Sequence, residues 1–138
     1  MKKAIKLSLP LLFVAASLFT GCGKYEEGPG LSLMSKKGRL AGTWTVEKAT
    51  STSGGISVDV TSAFASMSWT YEKDGTFKFT WGALTETGTW EFGDKKETVI
   101  TTDSTNDKDT ATIYRLKNKE FWTKDVYGST TSEIHFKQ

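Results

Sequence analysis

Residues 66–92 read SMSWTYEKDGTFKFTWGALTETGTWEF. Trp69 and Tyr71 alternate with Ser68 and Thr70. Phe77, Phe79 and Trp81 fall on one face, with Lys78 and Thr80 on the other. Trp90 and Phe92 flank Glu91. An apolar period of two is the mark of a strand with one buried and one wet face. Lys73-Asp74-Gly75 supplies the turn chemistry between two of these runs. The stretch therefore predicts consecutive antiparallel strands joined by local hairpins.

The same period continues on both sides. Trp44 and Val46 alternate with Thr45 and Glu47, and Ile134 and Phe136 with Glu133, His135 and Lys137. The many threonines suit a pleated surface better than a helix. Gly93-Asp94-Lys95-Lys96, Asn118-Lys119 and Gly128 punctuate further runs, and DSTNDKD at 103–109 forms a longer polar tip. These signals predict strands at 42–48, 66–72, 76–81, 85–92, 97–102, 110–117, 120–126 and 131–137. Such a meander loses its exposed edges by closing on itself. The expected fold is all-β: a single small antiparallel up-and-down β-barrel of about eight strands, a size whose interior is filled by side chains or holds one small ligand.

Ala49 to Ala65 is the longest connection. It carries Gly54-Gly55, an alternation of Ile56, Val58 and Val60, and Thr61-Ser62-Ala63-Phe64-Ala65, which suits one helical turn capped by Thr61 or Ser62. Two readings fit: a lid over a barrel mouth, or a strand extension that places Phe64 in the core. The second is favoured.

The first thirty residues read as an address. Lys2, Lys3 and Lys6 precede an apolar run from Leu7 to Phe19, which matches a secretory leader and is shorter than the ~20 residues of a spanning helix. Gly21 directly before Cys22 suits a peptidase that cuts ahead of the cysteine. The expected layout is a leader at 1–21, a flexible Gly-rich tether at 22–38 and a barrel at 39–138. The leader takes three lysines and no acidic residue with it, so 138 residues become 117 and a formal charge of +2 becomes −1. The basicity belongs to the leader, and nothing points to nucleic acid.

Residues suited to chemistry are few. One cysteine excludes an internal disulfide framework and a cysteine-based zinc site. The single histidine, His135, lies on the polar face of the last strand and reads as a solvated surface residue. Asp103, Asn106, Asp107 and Asp109 lack the spacing, glycine and final glutamate of a calcium loop and read as a solvated tip. Glu86 and Glu91 have opposite parity. No Gly-x-Ser-x-Gly elbow is present. The expectation is no enzyme, no catalytic residue, no metal and no cofactor.

Leu18-Phe19-Thr20-Gly21-Cys22 resembles a bacterial lipobox, in which the cysteine thiol takes a diacylglycerol. Tyr25-Glu26-Glu27-Gly28-Pro29, Ser35-Lys36-Lys37 and Arg39-Leu40 resemble the post-cysteine segment of small bacterial lipoproteins. Gly42-Thr43-Trp44, Asp74-Gly75-Thr76-Phe77 and Gly88-Thr89-Trp90, in this order, resemble the bacterial lipocalin-like lipoprotein domain over roughly 39–138. The resemblance implies that Gly42 and Trp44 close the barrel base, with Gly88 and Trp90 repeating the motif. It also implies an arginine across the Trp44 ring, and Arg39 and Arg115 are the only two available. It further implies lipidation of Cys22 and an outer-membrane lipid anchor, on the periplasmic face or, given Glu26 and Glu27, the cell surface.

Two functions fit these residues. In one, Trp69, Phe77, Phe79, Trp81 and Trp90 wall a pocket for a small hydrophobic or amphipathic molecule. In the other, the same rings fill the core of an envelope protein–protein interaction module, because a domain this small needs most of its large side chains to exclude water.

Overall fold

The structure, a computed structural model, describes residues 34–138. The expected leader at 1–21, Cys22 and the tether up to residue 33 lie outside the described residues. The described chain forms nine strands: β1 (Gly42–Ser53), β2 (Ile56–Asp59), β3 (Met67–Tyr71), β4 (Thr76–Trp81), β5 (Leu84–Phe92), β6 (Thr98–Asp103), β7 (Lys108–Lys117), β8 (Glu120–Tyr127) and β9 (Thr130–Lys137). All pairings are antiparallel and keep chain order from β3 to β9, and β1 pairs with both β3 and β9. The result is a closed eight-stranded up-and-down barrel with β2 as an extra strand, consistent with a lipocalin-like fold.

Each of the eight expected strands is present. Two local features differ. β1 runs on to Ser53, and β2 folds back on it as a hairpin over Gly54-Gly55. Ile56 and Val58 on β2 are 70% and 54% exposed. The tail of the expected tether is helical: α1 (Lys36–Leu40) begins at Ser35, whose Oγ accepts the Gly38 N–H at 3.0 Å.

Alternating hairpins place the tips at two ends. The tips at 72–75, 93–97 and 118–119 share one end with α1. Those at 54–55, 82–83, 104–107 and 128–129 share the other. The α1 end is closed. Leu40 and Trp44 are fully buried there, and the Trp44 Nε1–H donates to the Leu40 carbonyl at 2.7 Å. Trp44 meets Phe121 edge-on at 5.7 Å, and Phe121 stacks on Phe136 at 5.0 Å. Tyr71, Trp90 and Leu116 complete this plug. Burial of each large ring stabilises the fold by roughly 1.5–3 kcal/mol. Trp44 of the first Gly-Thr-Trp tripeptide thus lies in the plug at the closed end.

The arginine expectation does not hold for Arg115. The register of β7 against β8 shifts between Ile113 and Arg115, a bulge that turns Arg115 outward. It lies over Trp122 at 4.4 Å and pairs with Glu120 at 2.7 Å. Arg39 is buried in α1, and its Nη1 donates to the Met34 carbonyl at 2.9 Å.

The opposite end is splayed. Lys108–Thr112 of β7 pair with β6, whereas Ile113–Lys117 pair with β8. Likewise Gly42–Trp44 of β1 pair with β3, and Thr45 onward pairs with β9. β1 and β7 therefore pass from one sheet to the other, and the two sheets diverge toward the open end. Between β1 and β3 the space is taken by the chain after β2. There the Val60 N–H donates to the Ala49 carbonyl at 2.9 Å, and a 3-10 turn (Thr61–Phe64) comes next. Between β7 and β8 the ladder stops, and the Thr112 N–H donates to the Asp125 carboxylate at 2.8 Å instead.

Gly88 marks the tightest strand contact. A Cβ there would run into the Thr102 carbonyl of β6. The second Gly-Thr-Trp tripeptide thus has a packing reason for its glycine.

Candidate functional site

Between the plug and the splayed end is a cavity of about 440 Å³. Ligand pockets run roughly 300–1,000 Å³. Strand parity builds its walls. Trp69 on β3, Phe77 and Phe79 on β4, and Ile134 on β9 all line it. Trp69 packs against Phe79 at 5.2 Å and Phe136 at 5.3 Å. Phe64, from the 3-10 turn, is half-buried, packs on Trp69 at 6.4 Å and lines the cavity beside it. The connection at 49–65 is therefore a strand extension that also contributes a ring to the wall.

Of the five expected wall residues, Trp69, Phe77 and Phe79 line the cavity. Trp81 and Trp90 do not. Trp90 is 5% exposed in the plug, and its Nε1–H donates to the Glu72 carbonyl at 2.8 Å. It sits one layer too deep. Trp81 is 53% exposed at the rim. Its parity is inward, but the splayed sheets carry the end of β4 past the cavity. Ile56, Val58, Leu84 and Tyr127 are likewise exposed at this end. Opposite residues of an antiparallel pair share a face. Ile56 and Val58 face Ser53 and Ser51, and Leu84 faces Trp81, so the rim carries an apolar collar.

The residues missed from the sequence are acidic. Along the inner face of β5, moving from the closed end to the mouth, the order is Trp90, Gly88, Glu86. On β6 it is Val99, Thr101, Asp103. On β7 it is Ile113, Ala111, Asp109, and on β8 Phe121, Thr123, Asp125. Each of these four adjacent inner faces passes from apolar through small or hydroxyl to carboxylate. Glu86, Asp103, Asp109 and Asp125 all line the cavity, and Asp107 joins them from the tip. Lys108 is the only basic residue among the lining. The expected solvated tip is in part the edge of the cavity. The signal was present in the parity of Asp103 against Val99, and of Asp109 against Ile113.

The carboxylates are held in different ways. Asp103 Oδ1 accepts the N–H groups of Thr105 and Asp107 at 2.8 and 3.0 Å and the Thr105 hydroxyl at 2.7 Å. The Thr105 hydroxyl, ahead of these backbone N–H groups, holds the Asp103 carboxyl below the usual range. Tyr71 is 5% exposed, lines the cavity and has no hydrogen-bond partner for its hydroxyl among the described residues. Burial, with a smaller contribution from the Asp109 charge, drives its acidity far down and keeps it a neutral phenol. The Tyr127 phenol is also raised, first by desolvation and then by Asp125 and Asp109.

His135 faces outward, as parity requires, but is half-buried rather than solvated. It stacks on Trp122 at 3.8 Å, and its Nε2 lies 2.6 Å from Glu133 Oε1. Among the described residues no group of three or more His, Cys, Asp or Glu is placed to hold a metal ion. No described helix is long and apolar enough to cross a membrane. Neither a protein-family model nor a curated protein matches the chain.

Proposed function

We propose that this protein is a lipid-anchored envelope lipoprotein whose barrel binds a small hydrophobic or amphipathic molecule without chemical conversion. The observation that carries the binding reading is the aromatic-walled cavity of about 440 Å³ above a close-packed plug. The plug meets the need of a small domain for a dry core, so the cavity is not required for stability. The anchoring reading rests on Gly21-Cys22 after the apolar leader and places the protein at the outer membrane, on its periplasmic face or the cell surface. Two or three acyl chains, at about 0.8 kcal/mol per buried CH₂, give durable attachment.

A second reading is favoured by a separate observation. The exposed Ile56, Val58, Trp81, Leu84, Val126 and Tyr127 all belong to the open end. Apolar residues gathered at one end suit docking on another envelope protein.

Native mass spectrometry of gently purified protein tests the first reading. A co-purifying small-molecule adduct that is lost in a Phe79→Trp variant, which fills the cavity, supports it. Absence of any adduct, together with no response of Trp69 fluorescence to apolar probes, rejects it in favour of docking.

A further inference from the structure

The cavity is not uniformly apolar, and its polarity has a sign. Glu86, Asp103, Asp109 and Asp125 come from four consecutive strands at the mouth end of four inner faces, with Lys108 the only opposing charge in the lining. Beside them lie Trp69, Phe79 and Ile134, with Phe79 directly opposite Glu86 and Trp69 directly opposite Phe79 in the strand ladders. A clustered set of like charges at a cavity with low-dielectric walls focuses its field on what enters. The Tyr71 hydroxyl gives a second and independent sign of a ligand. The Tyr71 side chain is more than nine-tenths buried, it lines the cavity and no described residue bonds its hydroxyl. The hydroxyl keeps accessible surface on the cavity, where an occupant able to hydrogen-bond it would take the place of water.

We propose that the cavity takes an organic cation: an amphiphile whose ammonium or guanidinium head sits among Glu86, Asp103, Asp109 and Asp125 while its apolar body lies against Trp69 and Phe79. This proposal rests on the cavity-binding reading and sharpens it to one charge class. Fatty acids and other anionic amphiphiles are disfavoured by the same carboxylates. Aromatic walls beside a cationic head also suit cation–π contact.

The test uses the full-length protein and three probes of one chain length below their micellar concentrations: decyltrimethylammonium, decanol and decyl sulfate. Binding is read by Trp69 fluorescence and by calorimetry. The expected result is that the ammonium binds about tenfold or more tighter than decanol, that the sulfate binds weakest, and that the preference shrinks at high salt. In the double variant Glu86→Gln/Asp109→Asn the ammonium should fall toward decanol, with decanol unchanged. Neither side chain makes a hydrogen bond within the described fold, so the variant should keep the wild-type circular dichroism. If it does not, the salt dependence of wild-type binding decides the matter. Equal binding of all three probes overturns the charge assignment and leaves the cavity reading intact. Failure of all three to bind overturns both.

Discussion

Tyr71 shows how one residue is set by its surroundings. Its ring meets Phe77 at 5.3 Å, Trp90 at 5.6 Å and Phe121 at 6.2 Å, so it belongs to the plug, while its hydroxyl belongs to the cavity. The folded phenol is held neutral well above the ordinary tyrosine range, chiefly by burial. An acid whose folded pKa is raised keeps its full contribution to stability below the unfolded value, about 10, and loses it as pH climbs above that value. Tyr71→Phe should change stability by less than about 1 kcal/mol at neutral pH, because no protein hydrogen bond is lost. Above pH ~10 it should outlast the wild type, because the only group removed is one that titrates there. Urea midpoints of both proteins across this range check it, and parallel alkaline losses would reject the assignment.

At the scale of the element, the strand extension after β1 explains how a splayed barrel keeps its backbone satisfied. Ala49 is 1% exposed, and its N–H donates to Thr61 Oγ1 at 2.9 Å. Asp59 Oδ1 accepts the Thr61 N–H at 2.9 Å and sets the 3-10 turn in place. Phe64 reaches the cavity wall only because that turn is anchored. Thr61→Val keeps the shape and removes the acceptor. It should cost about 1–3 kcal/mol for the orphaned Ala49 amide. Hydrogen exchange should quicken at Ala49, and the Phe64–Trp69 contact should loosen, read as altered tryptophan emission. Unchanged exchange at Ala49 would mean that the turn is held by something else. The 61–65 helical turn was legible in the sequence, but its cap was not. The expected side-chain cap by Thr61 or Ser62 is replaced by a bond from Thr61 to a strand twelve residues away, a tertiary contact that no local pattern encodes.

For the whole molecule, polarity runs along one axis. α1 and residue 34 lie at the closed end, and the cavity opens at the other. The described chain thus begins at the sealed end, opposite the mouth. Cys22→Ser should move the protein from the membrane fraction to the soluble fraction without changing the stability of the barrel, since residues 34–138 contain its buried core. Retention at the membrane by the variant would show that attachment has another source, such as the exposed collar of Ile56, Val58, Trp81 and Leu84.

The sequence alone determined eight of the nine strands, the order of their hairpins and the alternation of their faces. These depend on period and turn chemistry, which are local. It did not determine which inward residues are wall, plug or rim. Trp69, Trp81 and Trp90 share a parity and an expected role, yet the first lines the cavity, the second sits exposed at the mouth and the third is sealed in the plug. Depth along the barrel axis depends on shear, on the crossing of β1 and β7 between sheets and on where the sheets part, and these are properties of the closed assembly. The gathering of carboxylates from four strands was settled the same way: each is an ordinary strand-end residue, and only closure turns their inner faces toward one space.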